Sequence, residues 1–553
     1  MNRIISFIVF GLLSLSAVGQ DQTVGVFLNT PEAENGYTLI APTASRTTYL
    51  IDNCGNVINT WQSDYLPGMV AYLLDDGRLL RACKKAASFS SGGSGGRIEM
   101  YNWDDQLIWS YDIADDVQHQ HHDLAIMPNG NILAIVWDRR PDMEVIQAGR
   151  DPNSIGSSGV WYEKILELSP IGTDSAEIVW EWYLFDHLVQ DFDSTKNNYG
   201  VIKDSPHRMD INYRNYFGTN PGPGDWFHMN AIDYNPELDQ IVFSSRSTNE
   251  IYIIDHSTTT QEAASSSGGQ AGMGGDFLYR WGNPEAYQRG TPIGQKLFGQ
   301  HDAQWIDEGL KDAGKIMVFN NGIGRPSVDY SSIEIIDPPL DGFNYSLAEE
   351  ESFLPLESSW TFTGENETAF FSTRVSGASR LANGNTLICS GNEGRIFEVD
   401  STGNLVWDFI NPVINFGPVS QGQVPSTNDM FRAYKYSPDY PAFEDRILFP
   451  GPKIENNPWP DSCVIYDNTV RVQENILNEN VQVYPNPARS FVTLENNSSH
   501  ALQVNIFNTM GSLQSSFEMD ANHTKSIDVF NWNKGIYFAS LSNGQTIKLI
   551  IAN

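Results

Sequence analysis

His122-Asp123-Leu124-Ala125-Ile126-Met127-Pro128-Asn129-Gly130-Asn131-Ile132-Leu133 reads as a strand, a tight turn and a returning strand. An Asn-Gly or Asp-Gly step between alternating apolar residues is a hairpin signal, because the glycine accepts the left-handed backbone a tight turn requires. The same turn recurs as Asp75-Asp76-Gly77-Arg78 before Leu79-Leu80, and as Ala382-Asn383-Gly384-Asn385 before Thr386-Leu387. Units of this kind close on an aromatic strand: Val57-Ile58-Asn59-Thr60-Trp61, Leu107-Ile108-Trp109-Ser110-Tyr111, Ile178-Val179-Trp180-Glu181-Trp182, Phe277-Leu278-Tyr279-Arg280-Trp281 and Leu405-Val406-Trp407-Asp408-Phe409. Recurrence at this spacing predicts an all-β, six-bladed β-propeller over residues 20–452. Its closing blade is expected to mix strands from Tyr37 to Trp61 with others near Arg446-Ile447-Leu448-Phe449.

Outward from this body, the composition changes. Arg3, the apolar run Ile4 to Leu15 and the small residues Ala17-Val18-Gly19 read as a signal peptide over residues 1–19. Tyr183 to Gly224 and Thr258 to Gly275 interrupt the repeat, the second reading as a flexible surface loop from its Thr, Ser and Gly. Residues 453–480 read as a linker. Residues 481–553 carry short alternating strands, which predicts a small C-terminal β-sandwich.

The 553 residues carry a formal net charge of −34, with 68 acidic against 34 basic side chains. A surface of that sign repels phosphate backbones, so nucleic acid is a poor partner. No stretch after the N-terminus has the roughly 20 apolar residues of a transmembrane helix. Cys54, Cys83, Cys389 and Cys463 are far apart, without a C-x-x-C pair, so a zinc cage or haem attachment is unsupported. Two disulfides in one of three connectivities fit an exported chain; so do free buried thiols.

Three of the ten histidines occupy matching places. His122-Asp123 and His301-Asp302 open equivalent strands, and His228-Met229-Asn230 opens the one between them. Innermost propeller strands start at one end of the central channel, so these imidazoles are expected to converge. Arg246 follows the strand Gln240 to Ser245, and a hairpin return brings it back toward them. His121 alternates with His122 along the strand, so one of the two should face inward. His122 is the better candidate because it aligns with His301. Three imidazoles and a guanidinium fit either a His₃ metal site or an oxyanion site. Arg246 disfavours a dication, and its planar fork suits tetrahedral oxyanions. Histidines satisfied within a structural core are the third reading.

At these residues the chain resembles the bacterial arylsulfotransferase family. The stretches that carry the resemblance are His121-His122-Asp123 with its Pro-Asn-Gly-Asn turn, Asp225-Trp226-Phe227-His228-Met229-Asn230 continuing to Ser245-Arg246, Tyr279-Arg280-Trp281-Gly282-Asn283-Pro284, Gly299-Gln300-His301-Asp302, and Phe319-Asn320-Asn321-Gly322. The family's Asp-Asn-Gly phrase stands here as Asn320-Asn321-Gly322. The resemblance implies sulfuryl transfer from an aryl sulfate to a phenolic acceptor, without a nucleotide donor, other cofactor or metal. It implies that His301 is transiently sulfated, that His122, His228 and Arg246 hold the sulfuryl group, and that Asn230 belongs to the binding site; His121 is a second substrate-binding candidate from the strand reading, should the strand begin only after it. The C-terminal segment, with Tyr484-Pro485-Asn486-Pro487 and Gly535-Ile536-Tyr537, resembles the sorting domain of the type IX secretion system. That implies the type IX machinery as a partner, with the protein secreted or attached to the cell surface after outer-membrane translocation. A non-enzymatic glycan-binding propeller is the alternative. A quinone-dependent dehydrogenase shares the Gly-x-Leu-x-Trp endings, but the adjacent cysteines and C-x-x-C-H site of that class are missing.

Overall fold

The computed structural model describes residues 21–213, 224–348, 351–366, 370–459, 463–466, 481–498, 500–508, 512–542 and 546–552. The expected signal peptide and most of the expected linker lie outside these residues. Two compact units are present, Met1–Asp467 and Asn468–Asn553.

The hairpin turns share one geometry. Met127 N–H bonds Asn131 O, and Gly130 N–H bonds Met127 O. Leu74 to Arg78 and Leu381 to Asn385 repeat both bonds. Gly77, Gly130 and Gly384 have φ of 86°, 85° and 86°. Asp76, Asn129 and Asn383 each accept the N–H two residues on, at 3.0, 2.9 and 2.9 Å. A type I turn with a left-handed glycine and an Asx cap is therefore what the repeated sequence encodes.

These hairpins build antiparallel four-stranded sheets. One begins with Pro67–Leu73 and ends with Leu107–Asp112, and the next runs from Gln118–Ile126 to Ser175–Tyr183. Two more run from Met229–Asn235 to Tyr279–Trp281 and from His301–Trp305 to Trp360–Phe362. A fifth, from Gly377–Arg380 to Leu405–Ile410, carries Gly25–Asn29 on its edge. A sixth orders Met430–Tyr436 before Tyr37–Pro42, Thr47–Asp52 and Val57–Gln62. The innermost strands neighbour one another in chain order, and Met430–Tyr436 returns against Pro67–Leu73. A ring of sheets around a channel is a β-propeller.

The ring closes by one sheet built from both ends of the fold, as expected, but with a different strand. Met430–Tyr436 pairs with Tyr37–Pro42, from Tyr37 opposite Tyr436 to Pro42 opposite Met430. Arg446-Ile447-Leu448-Phe449 form no strand, and Ile447 and Phe449 are exposed. An innermost strand is covered on both faces, and Met430-Phe431-Arg432-Ala433 is the buried run. A short 3₁₀ turn, Pro441–Phe443, then leads the chain away.

Carboxylates stitch neighbouring sheets near the channel. Asp123 Oδ2 accepts the Ile232 N–H at 3.0 Å, Asp233 Oδ2 the Trp305 N–H at 2.8 Å, and Asp302 Oδ2 the Ala378 N–H at 2.8 Å. Thr258 to Gly275, expected to be flexible, is folded. Thr259 and Glu262 form a capping box on the helix Thr260–Ala263, and Asp255 Oδ2 accepts the Ala271 N–H. Cys54 and Cys463 form a disulfide, while Cys83 and Cys389 are free and buried.

The second unit holds two antiparallel sheets. One orders Val481–Tyr484, Phe491–Asn496 and His523–Asp528, and the other Leu513–Met519, Leu502–Asn508, Gly535–Leu541 and Thr546–Ile551. Val492, Leu494, Val504, Ile506, Ala539 and Leu549 lie in one buried cluster. Among the described residues no helix is long and apolar enough to cross a membrane.

Candidate active site

The innermost strands share an irregularity at one end. Met69, His122, His228, Asp302 and Ser376 all have positive φ, at 102°, 50°, 59°, 58° and 89°. Register shifts accompany them in the first four sheets. Bulges of this kind re-aim side chains, and strained backbone of this kind collects at functional sites. The consequence is sharpest at His121 and His122. Strand alternation would send them to opposite faces, yet their Nδ1 atoms lie 2.8 Å apart. The strand begins at Gln118, ahead of both.

His301 opens its strand and is 2 % exposed. Its Nδ1 lies 2.7 Å from Asn321 Oδ1 and 3.1 Å from Gly299 O. The Asn321 amide is oriented by its other end, whose Nδ2 donates to Ser372 O and Val375 O at 2.8 and 3.1 Å. Both neighbours of Nδ1 are therefore acceptors, so Nδ1 carries the proton and Nε2 keeps its lone pair. Burial, with the Arg246 charge next, holds His301 well below the usual histidine pKa.

His122 packs edge-on against His228, with ring centroids 4.7 Å apart. Burial and then His228 hold His122 well below the usual value. Behind it, His121 stacks on Trp137 at 4.1 Å and 8°, and its Nε2 meets Glu163 Oε2 at 2.8 Å. Glu163 is fully enclosed; burial and then Asp225 push its carboxyl well above the usual range.

His228 is held by Asp225, whose Oδ2 accepts from Nδ1 at 2.5 Å while Oδ1 accepts the Trp137 indole N–H at 3.1 Å. Arg246 follows the paired strand, and its N–H bonds His228 O at 3.1 Å. A Cβ on Gly299, two residues before His301, would sit 3.9 Å from Arg246 Nε. The Ser88 to Gly96 loop supplies a wall. Gly93 O accepts the His122 N–H at 2.8 Å, and a Cβ on Gly93 would lie 1.9 Å from His122 Cε1. Among the described residues none hydrogen-bonds Nε2 of His122, His228 or His301.

Beneath these rings lies Arg432, from the closing strand. It sits 2.8 Å from Asp123 Oδ2 and 2.8 Å from Asp302 Oδ1, and it donates to Asn230 O at 3.2 Å. The aspartates that follow His122 and His301 thus anchor a buried cation.

The structure brings His122, His228, His301 and Arg246 together, with His121 touching His122. Asn230 is adjacent, but its side chain is committed to the protein: Nδ2 donates to Gln300 O at 2.7 Å, and Oδ1 accepts from Ser244. His187 lies elsewhere, between Asp276 and Ala263 O and stacked on Trp182. His207 donates to Phe277 O. His119 lies between Phe89 O and Gly95 O. Sequence reasoning did not single out Glu163, Asn321 or Arg432 as site residues. The available signals were a Glu inside the apolar run Val160-Trp161-Tyr162-Glu163-Lys164-Ile165 and the doubled asparagine at 320–321.

A profile of the arylsulfotransferase (ASST) family matches residues 27–406, more than half of the chain. The chain belongs to the arylsulfotransferase family. A second profile, a secretion system C-terminal sorting domain of the type IX kind, matches residues 482–552. Arg432 lies beyond the arylsulfotransferase match. No curated protein matches the chain. Distant likenesses exist among solved structures. The periplasmic gluconolactonase PpgL of Pseudomonas aeruginosa shares 10% identity over 94% of this chain and 100% of that one, at a TM-score of 0.34. A protein of unknown function from Bacteroides caccae shares 11% over 70% and 97%, at 0.37. A catalytically inactive virginiamycin B lyase from Staphylococcus aureus shares 10% over 71% and 90%, at 0.32. At these scores they bear on nothing in the chemistry of this arylsulfotransferase-family site.

Proposed function

We propose that the protein moves a sulfuryl group from an aryl sulfate to a phenolic acceptor through a sulfohistidine at His301, without a nucleotide donor. The observation that carries this reading is the His301 tautomer. Two acceptors hold Nδ1–H, so Nε2 is a neutral nucleophile beside Arg246 and two further imidazoles.

Nε2 attacks sulfur in line, and the S–O bond to the phenol breaks. Arg246, His122 and His228 balance charge on the three sulfuryl oxygens. An acceptor phenol then enters and takes the group from nitrogen, giving ping-pong kinetics with a covalent intermediate. The sorting domain supports export by the type IX machinery to the cell surface or the medium, after removal of residues 1–19.

The test mixes the protein with p-nitrophenyl sulfate and measures intact mass. A gain of one SO₃ on the peptide containing His301, discharged by added phenol, is expected. His301→Ala is expected to release no nitrophenolate. Normal turnover by that variant rules out the nucleophile.

A further inference from the structure

Behind the first ring of side chains lies a continuous line of exchangeable protons. Glu163 Oε2 meets His121 Nε2 at 2.8 Å, and His121 Nδ1 meets His122 Nδ1 at 2.8 Å. The line ends at His122 Nε2, on the ring that packs against His228. Further contacts of these groups fix the geometry of the line. Glu163 Oε1 accepts the Met229 N–H at 2.8 Å, which leaves Oε2 as the oxygen that faces His121. The His121 ring is stacked flat on Trp137, and its two nitrogens meet Glu163 and His122. Glu163, His121 and His122 are 1 %, 0 % and 4 % exposed, so bulk water does not short-circuit them. Two adjacent imidazoles joined through Nδ1 atoms must share one proton, so a change of state at Glu163 reverses both tautomers together.

We propose that Glu163, His121 and His122 form a proton relay that stores, on the Glu163 carboxylate group, the proton exchanged with the phenolic oxygen of donor and acceptor. This rests on the sulfuryl-transfer reading above and assigns that site a general acid–base. In the first half-reaction His301 Nε2 forms the N–S bond, and the electron pair of the broken S–O bond goes to the phenol oxygen. That oxygen takes the proton from His122 Nε2. His122 Nδ1 takes one from His121 Nδ1, and His121 Nε2 takes one from Glu163 Oε2. The products are a neutral phenol, a sulfated His301 whose ring is cationic, and an ionised Glu163. Donor and products carry the same total charge of one negative unit. In the second half-reaction the acceptor phenol returns its proton to His122 Nε2 as its oxygen bonds sulfur, and the line runs backwards to Glu163.

The enclosure of Glu163 suits this store. Burial and Asp225, with Asp138 further off, favour the protonated carboxyl at rest, against the Met229 and His228 backbone amides. The groups facing the two imidazoles are His228, His119, His301 and Arg432, and with burial they keep both rings neutral between transfers.

The test compares two donors with Glu163→Gln and His121→Gln. p-Nitrophenolate is a weak base that departs without a proton; unsubstituted phenolate is a strong one that needs it. In each variant the burst of nitrophenolate, with SO₃ gained on His301, is expected to fall far less than sulfation by phenyl sulfate. Sulfation by phenyl sulfate is expected to fall about 10²-fold or more, and the solvent deuterium effect of the native protein on that donor to change. Equal losses on both donors would indicate a structural role and overturn the relay, as would unchanged rates on phenyl sulfate. Native protein that is not sulfated at His301 by either donor overturns the sulfotransferase reading, and the relay falls with it.

Discussion

Asn321 Oδ1 lies 2.7 Å from His301 Nδ1, and the far end of the same amide donates to two backbone carbonyls. That side chain, together with Gly299 O, therefore sets the position and the tautomer of the proposed nucleophile. Asn321→Ala is expected to lower sulfation of His301 about 10²-fold, within the range general orienting contacts supply. Ser372 O and Val375 O lose a donor, so stability is expected to fall by about 1–3 kcal/mol. Stopped-flow release of nitrophenolate and thermal unfolding check the two effects separately.

The pH dependence of the same step has a fixed sign. His301 must be neutral to attack, and burial followed by the Arg246 charge holds its pKa below the usual value of about 6.5. The rate is expected to stay flat as pH falls through 6.5 and to decline only below it. Arg246→Met removes a cation that disfavours the imidazolium, so the acid limb moves to higher pH as the maximal rate drops. A pH–rate profile whose acid limb stays in place in that variant contradicts this electrostatic coupling.

The hairpins were readable because Asn129-Gly130 and its equivalents encode a turn locally, with no help from distant residues. The convergence of His122, His228 and His301 was readable for a related reason: repeats place equivalent residues at one end of a ring. What surrounds them was not. Period-two alternation fails at His121 and His122 because His122 has φ of 50°, a backbone state that no residue type there announces. Glu163 reaches the site from two strands away in the sheet of His121, and Asn321 from the end of the strand that pairs with that of His301. Arg432 arrives across the whole fold, from a strand whose partner is Tyr37–Pro42. Such contacts depend on the assembled ring, and nothing local to Met430–Tyr436 announces that it, rather than the segment near Phe449, closes the ring.

The Cys54–Cys463 disulfide spans 409 residues and ties the end of the first unit to the hairpin between Thr47–Asp52 and Val57–Gln62. Cross-links over long loops restrict the unfolded chain, typically by about 2–4 kcal/mol. Cys463→Ser is expected to lower the unfolding temperature by several degrees and to leave nitrophenolate release unchanged. Peptide mapping without reductant should recover the linked pair. Cys83 and Cys389 should react with thiol reagents only after unfolding, since burial pushes the Cys83 thiol up to about 12 and Cys389 higher still.

Two glycines with the same backbone separate strain from obstruction. Gly93 has φ of 82° and no room for a Cβ, which would overlap the His122 ring. Gly130 has φ of 85° and open space around it. Gly130→Ala is expected to cost about 1–2 kcal/mol of left-handed strain and to keep full activity. Gly93→Ala carries the same strain and must also displace His122, so sulfation should be lost while the fold remains. Comparable activities in the two variants would remove the loop from the site.

Arg432 links closure of the ring to the site through the aspartates that follow His122 and His301. Its partners, Asp123 and Asp302, also accept backbone N–H groups from the next sheets, at Ile232 and Ala378. Arg432→Met leaves two enclosed carboxylates without their cation, and breaking a buried pair in this way costs about 3–5 kcal/mol. Burial, and then the Asp123 charge, already raise Asp302 to about 6 against the pull of Arg432, so the variant should bind protons there and gain stability as pH falls toward 5. The sign follows from the folded carboxyl holding its proton where the unfolded one has lost it. Adding Asp123→Asn and Asp302→Asn removes the stranded charges while leaving each side-chain oxygen to accept its N–H. Much of the lost stability should return in the triple variant, and its pH dependence should flatten. If the single variant is as stable as the native protein at pH 8, the cation is not what holds the two aspartates in place beneath the histidines.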